Sequence, residues 1–260
     1  MAKKIAGKIV CGNWKMNPLT AQEADKLFKA VAKGVARTKK TSVVICPPNI
    51  YLEGLKSASR QTRKISLGAQ NAFVGETGAF TGEISPEMLY EMGARYVILG
   101  HSERRALGEN NLFINKKLKS ALSASLTPIL CVGEDHRDEN HEYFSIVRTQ
   151  IKECLAGINK SLISKIIIAY EPVWALSSTA NRRDATAKDS EEMAIFIRKV
   201  ISDMAGLEIA NKAKIIYGGS VNEKDAEDFL RNGGVDGVLP GKASLTAEKF
   251  VKIVEVADSL

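Results

Sequence analysis

Lys165-Ile166-Ile167-Ile168-Ala169-Tyr170-Glu171-Pro172-Val173-Trp174-Ala175 is the stretch that decides how this chain folds. It begins as a continuous apolar run with β-branched residues, the pattern of a strand buried on both faces. Pro172 removes a backbone donor and ends the ladder, which leaves Glu171 at the C-terminal lip of a central strand. An unpaired buried charge is expensive. An acid in that place either caps a helix, pairs with an arginine, or is kept for chemistry.

The same unit, a short apolar strand with a polar end and then a helix, recurs on both sides of this stretch. Lys8 to Asn13 is a first strand, followed by a helix that Thr20 and Glu23 cap reciprocally, with Ala24, Leu27, Phe28 and Val31 on its apolar face. Val43-Val44-Ile45-Cys46 is stopped by Pro47-Pro48, and a short helix passes through Leu52 and Leu55. Ile65 to Ala69 is a weaker third strand ending in Gln70-Asn71, and a glycine-rich loop, Gly75 to Glu83, leads to a helix start at Ser85-Pro86-Glu87. Tyr96 to Gly100 runs directly into His101-Ser102-Glu103-Arg104-Arg105, before a helix over roughly Asn111 to Ser125. Pro128 to Glu134 is the fifth strand, and its helix, from about Glu142 to Leu155, turns Ile146, Ile151 and Leu155 inward. After the opening stretch come a polar loop from Leu176 to Lys188 and a helix from about Ser190 to Ala205. Ala213 to Tyr217 and Val235 to Leu239 are the last two strands, with helices through Ala226 and Leu230 and from Thr246 onward.

Eight such units without a linker fill the 260 residues. Length and count predict one α/β domain over 1–260, a closed (β/α)8 barrel. An open doubly wound sheet would be expected to show G-x-G-x-x-G after its first strand, and none occurs.

Bulk properties narrow the function. The formal charge of +7 comes from lysines spread among glutamates, with no arginine cluster alternating with aromatics, so a nucleic-acid partner is not expected. A modest positive field suits a small anionic substrate. No apolar run is long enough to cross a bilayer, and no signal-type segment follows the charged N-terminus, so a cytoplasmic protein without a membrane partner is expected. The four cysteines, Cys11, Cys46, Cys131 and Cys154, are widely spaced, which fits buried free thiols in a reducing compartment better than a disulfide scaffold or a zinc site. There are only three histidines, and His136 and His141 lack ligand-like neighbours, so no metal is expected. A carboxylate-built magnesium site is not excluded by pattern, but no Asp-rich cluster asks for one.

In a barrel the strand ends meet at one mouth. Asn13 and Lys15, His101 and Glu103, Glu171, Gly218-Gly219-Ser220 and Gly241-Lys242 therefore become neighbours. Glycine-rich turns after the last two strands can cradle a phosphate with backbone N–H groups. A base, an imidazole, a cation and such a cradle point to an enzyme acting on a small phosphorylated molecule.

Gly12-Asn13-Trp14-Lys15-Met16-Asn17, Gly78 to Ser85, Gly100-His101-Ser102-Glu103-Arg104-Arg105, Ile129 to Glu134, Ala169 to Ala175 and Tyr217 to Val221, in that order, closely resemble the triosephosphate isomerases, the family after which the TIM barrel is named. The resemblance implies interconversion of dihydroxyacetone phosphate and D-glyceraldehyde 3-phosphate through an enediol or enediolate, without a cofactor, in glycolysis and gluconeogenesis. It makes Glu171 the base and His101 a neutral electrophile. Lys15 is then the cation, Asn13 a further polar contact, and Glu103 the acid beside them. The family's dimer implies a homodimer whose loop tip, Phe80-Thr81-Gly82-Glu83, enters the partner's site, with Thr81 near Asn13 and Lys15. Gln70, Asn71 and Arg104 resemble positions that hold this region.

Two segments depart from the family pattern. Lys242 stands where a second glycine is usual; it is strained if that site needs positive φ, and otherwise adds a cation near the phosphate. The loop after Trp174 is longer by about three residues and lacks the usual glycines, although a bulge of that size adds only a few tenths of a kcal/mol in closure entropy. Ser177-Ser178-Thr179 is expected to supply its phosphate-facing N–H, with Arg182 and Arg183 as solvated or steering charges. The rivals are an aldolase using Lys15 as a Schiff base and a binding protein with a dead site, which the intact Asn13, Lys15, His101 and Glu171 set disfavours.

Overall fold

Eight parallel strands, β1 (Ile9–Asn13), β2 (Ser42–Cys46), β3 (Ile65–Ala69), β4 (Ala94–Leu99), β5 (Thr127–Val132), β6 (Ile167–Tyr170), β7 (Lys214–Tyr217) and β8 (Gly237–Val238), follow one another around a closed barrel. The closing seam sets Ile9 opposite Gly237 and Val10 opposite Val238. The structure, a computed structural model, describes residues 7–176, 179 and 183–260. Ser177, expected at the phosphate, lies outside the described residues, as do Ser178 and Arg182.

The helices are α1 (Ala21–Gly34), α2 (Leu52–Thr62), α3 (Pro86–Glu91), α4 (Ser102–Ala106), α5 (Asn111–Ser123), α6 (Tyr143–Cys154), α7 (Lys160–Ile163), α8 (Ala187–Ala205), α9 (Leu207–Lys212), α10 (Ala226–Asn232) and α11 (Ala247–Ser259). Thr20 and Glu23 form the expected capping box on α1, and Ser85 caps α3 ahead of Pro86. The sequence misplaces some details. α8 starts at Ala187, because Thr186 and Asp189 form a second capping box upstream of Ser190. α6 buries Tyr143, Val147, Ile151 and Cys154, a steady helical phase that leaves Ile146 only half-buried. β8 is shorter than expected, and α4, α7 and α9 are too short to show a period.

The period of two along each strand sorts the core. Ile9, Cys11, Val44, Cys46, Tyr96, Ile98, Ile129, Cys131, Ile167, Ala169, Ile216 and Leu239 pack together inside the barrel. The alternate residues, such as Val10, Ile45, Val97, Leu130, Ile168, Tyr170 and Ile215, pack against the helices. Extending the lumen parity past each strand end reaches Asn13, Gly133, Glu171, Gly218 and Gly241. The alternation that fills the barrel thus brings those five residues to one rim.

One polar cluster is buried on the outer side. The Lys117 ammonium, 1% exposed, donates to Glu109 Oε1 at 2.6 Å and Asn71 Oδ1 at 2.8 Å, above the Phe113 ring. Arg104 also bonds Glu109. Burial pulls the Lys117 pKa down, and Glu109 opposes the shift. Removing one partner strands the other's charge. Glu109→Gln is therefore expected to cost on the order of 3–5 kcal/mol in urea unfolding, and Lys117→Met on top of it to recover much of that loss. A single variant within about 1 kcal/mol of wild type would show that the pair carries no such weight.

Candidate active site

Asn13 ends β1 on the lumen side and is buried. Its Oδ1 accepts the Lys15 N–H at 3.0 Å, and the Gln70 amide donates to the Lys15 and Cys46 carbonyls, both at 2.8 Å. Lys15 needs this support, because its φ of 52° lies in the left-handed region. A non-glycine residue there costs of order 1–3 kcal/mol and persists where its surroundings over-determine it. The strained backbone delivers Nζ to Glu103 Oε1 at 2.6 Å. Both side chains are partly exposed, so the pair fixes direction more than it adds stability.

His101 caps α4, and its Nδ1 accepts the Glu103 N–H at 3.2 Å. A ring nitrogen that accepts carries no proton, so this geometry assigns the neutral imidazole with its hydrogen on Nε2. Nε2 lies 3.2 Å from Glu171 Oε1, off the line of a hydrogen bond. Arg105, which sequence reasoning did not assign, anchors the strand below. It donates to the Gly100 carbonyl at 2.7 Å, the Cys131 carbonyl at 3.1 Å and Asn111 Oδ1 at 2.6 Å.

Glu171 is 2% exposed. Its N–H bonds the Val132 carbonyl at 2.8 Å, and its Oε2 accepts the Ser102 N–H at 3.1 Å, at the first turn of α4. Two glycines make room for it. A Cβ on Gly133 would stand 1.8 Å from the Glu171 carbonyl oxygen, and one on Gly218 would stand 2.9 Å from its Cγ. The Cys131 thiol lies beneath. Burial first, then the Glu171 carboxylate, push its pKa well up, so it remains a neutral wall.

Asn13, Lys15, His101, Gly218, Gly219, Ser220, Gly241 and Lys242 line one cavity of about 480 Å³, together with Leu176 and Lys224. Eight of the sequence-expected site residues therefore share a wall. Glu171 and Glu103 stand behind it, touching His101 and Lys15. Lys242 is not in the left-handed region, so the strain alternative does not apply and its backbone N–H is retained. Among the described residues, the N–H groups of Gly241 and Lys242 donate to no protein acceptor. Ser220 Oγ donates to the Ala175 carbonyl at 3.0 Å, joining the glycine-rich turn after β7 to Val173–Ala175, the hinge turn at the root of the long loop. Among the described residues no group of three His, Cys, Asp or Glu is placed to hold a metal.

A second network, missed in the sequence, lies behind the hinge. Glu134, fully buried, accepts from Tyr170 Oη at 2.8 Å, Trp174 Nε1 at 2.8 Å and Arg137 Nε at 3.2 Å. Arg137 continues to Asp189 at 3.1 Å and Glu192 at 2.7 Å. Burial disfavours its charge, yet Tyr170 and Glu134 raise its affinity for the proton. Burial and then Glu134 push the Tyr170 pKa up, so the phenol stays a donor. Arg183, expected from sequence as a solvated or steering charge, is exposed and also lies over the Trp174 ring, its Cζ 4.4 Å from the centroid.

The expected dimer residues fall elsewhere. Phe80, Thr81 and Glu83 sit on an exposed loop braced by a Phe73–Phe80 ring contact at 4.7 Å. Gln70 and Arg104 bond within the chain, to Lys15 and Glu109. No described helix is long and apolar enough to cross a membrane.

Comparison with known proteins agrees with this geometry. A family model described as triosephosphate isomerase matches residues 8–257. Triosephosphate isomerase of Rhodopirellula baltica is 41% identical, over 96% of this chain and 98% of the relative. That of Dehalococcoides mccartyi is 45% identical, over 96% of both. The crystal structure of the Bartonella henselae triosephosphate isomerase superposes with a TM-score of 0.83 at 35% identity, covering 96% of this chain and 98% of that one. A family match along nearly the whole length, on a closed barrel whose strand ends converge on one cavity, shows that this chain is an isomerase of the triosephosphate isomerase family.

Proposed function

We propose that the chain interconverts dihydroxyacetone phosphate and D-glyceraldehyde 3-phosphate, with Glu171 as the base. The observation that carries this reading is a nearly fully buried carboxylate at the end of β6, beside the Nε2 of a neutral imidazole and behind a cavity lined by Lys15 and two glycine-rich turns. In this structure Glu171 Oε2 accepts the Ser102 N–H, and the carboxylate stands against His101 and Gly218, which line the cavity. The carboxylate then takes the proton from the carbon next to the carbonyl. The C–H electron pair becomes the new C=C bond, and the carbonyl π pair moves onto oxygen. Nε2–H of His101 and the Lys15 ammonium stabilise that oxygen where its charge develops. A second proton must pass between the two oxygens: Nε2–H of His101 protonates the former carbonyl oxygen, and the same nitrogen then takes the hydroxyl proton from the neighbouring oxygen. Glu171 returns its proton to the adjacent carbon as the new C=O forms, so atoms and electrons balance. The Ser220 and Gly241-Lys242 turns hold the phosphate.

We infer a cytoplasmic homodimer. Four free, buried cysteines suit a reducing compartment. Met16, Leu19, Ile50, Phe80 and Met88 are large exposed apolar residues on the connections after β1, β2 and β3, the kind of surface a partner covers. Sedimentation should give a dimer, and a variant with the 75–83 loop shortened should give a monomer of low activity. A fully active wild-type monomer would overturn this.

A coupled assay with glyceraldehyde 3-phosphate tests the reaction, and absence of turnover at high enzyme concentration would end the isomerase reading. Glu171→Asp withdraws the charge by roughly 1 Å, and is expected to lower kcat about a hundredfold while leaving the unfolding midpoint in place. A variant keeping half the wild-type kcat would mean the base is another group. Lys242→Gly removes a flexible, exposed ammonium and should change KM by a factor of about three or less, the worth of an exposed charge. A loss as large as that of Glu171→Asp would give Lys242 a direct role on the substrate.

A further inference from the structure

We propose that Arg183 is a positioning residue for the base: stacked on Trp174, it ties the far leg of the long loop to the hinge that presents Glu171.

Trp174 lies in a 3-10 turn, Val173–Ala175, two residues beyond Glu171. The turn is held from below, where the Val173 N–H bonds the Glu134 carbonyl at 2.9 Å and the indole N–H bonds Glu134 Oε1. It is held from the near leg, where the Thr179 hydroxyl donates to the Val173 carbonyl and the Thr179 N–H to the Leu176 carbonyl. Neither set reaches the far leg, residues 183–186, which runs into the capping box of α8. Arg183 does. Its guanidinium and that of Arg137, 5.4 Å from the same centroid, are both within cation–π range of the one indole. Two like charges around one ring need compensation. Glu134, Asp189 and Glu192 supply it at Arg137. Asp189 also feels Arg183. Burial raises the Asp189 pKa, but Thr186 hydrogen bonds and then both arginines bring it down.

The contact fixes geometry more than it saves entropy, since shortening a loop by a few residues changes closure entropy little. Its consequence is for aim. Trp174 and Glu171 share a short, proline-stiffened backbone, and a tilt of the indole is carried to the carboxylate, where small displacements are costly in rate. The residue belongs to the segment in which this chain is longer than the family pattern.

The test uses Arg183→Ala and Arg183→Lys. The chain has two tryptophans. Trp14 is 0% and Trp174 7% exposed, so acrylamide quenching is low in the wild type and a rise reports mainly on Trp174. Removing the guanidinium should raise the quenching constant about twofold and shift the emission. In the coupled assay kcat should fall about two- to fivefold with KM little changed, the scale of an exposed cation–π contact. Methylglyoxal, formed when the enediolate breaks its C–O bond and expels phosphate, should rise. Arg183→Lys should lie between the two. Unchanged quenching in Arg183→Ala would overturn the clamp, and changed quenching with unchanged kcat would overturn the positioning role. The kinetic arm rests on the isomerase reading. A wild type without turnover would sink that reading, and quenching would then decide the clamp alone.

Discussion

The structure depends on keeping an ionisable carboxylate buried at a strand end without locking it. An isolated buried charge is costly, and hydrogen bonds are what make it tolerable. Glu171 has one firm donor, the Ser102 N–H, and one nitrogen at contact distance, His101 Nε2. Gly133 and Gly218 leave the volume it needs. This arrangement is enough to hold it in place and too little to trap it.

Glu134 shows the alternative on the neighbouring strand end. It is equally buried, but three donors from Tyr170, Trp174 and Arg137 converge on one of its oxygens. Such a carboxylate is a fixed point of the structure, and the hinge turn hangs from it by both backbone and indole. Both acids bear on the Trp174 turn. One anchors the turn and the other is delivered by it. The number of donors, more than depth of burial, separates the fixed acid from the one we propose as the base.

The parts legible in the sequence are those that a one-dimensional position determines. A strand's apolar run and its stop place Asn13 and Glu171 at the rim, while the face each takes, toward the lumen, came only with the structure. The parts that stayed hidden are long side chains on helices and loops whose partners are distant in sequence. Arg105 bonds Cys131, Lys117 bonds Asn71 and Arg137 bonds Glu192, and no local pattern announces any of these. Arg183 is exposed, as charged loop residues usually are, and what the sequence did not announce is its contact with an aromatic ring earlier in the same loop. The left-handed Lys15 did leave a trace. An asparagine whose side chain can accept the N–H two residues on is a local turn signal, and Asn13 occupies that place.

The net charge is the property that most needs translating from chain to site. Four lysines, Lys15, Lys224, Lys242 and Lys249, line the cavity. Glu103 pairs with Lys15 at 2.6 Å, and Glu223 pairs with Lys249 at 3.4 Å. Among the described residues Lys224 and Lys242 have no ion-pair partner, and with the Glu171 carboxylate counted the mouth keeps an excess of about one positive charge, a small part of the +7 carried by the whole chain. At physiological ionic strength fields fade over about 8 Å, so charges elsewhere on the barrel do little for an arriving anion. The two unpaired lysines stand where the glycine-rich turns offer N–H groups, and there they raise the local concentration of a phosphate ester before any hydrogen bond forms. The basic composition thus acts through a few side chains at one rim, on the same side of the barrel as the buried base.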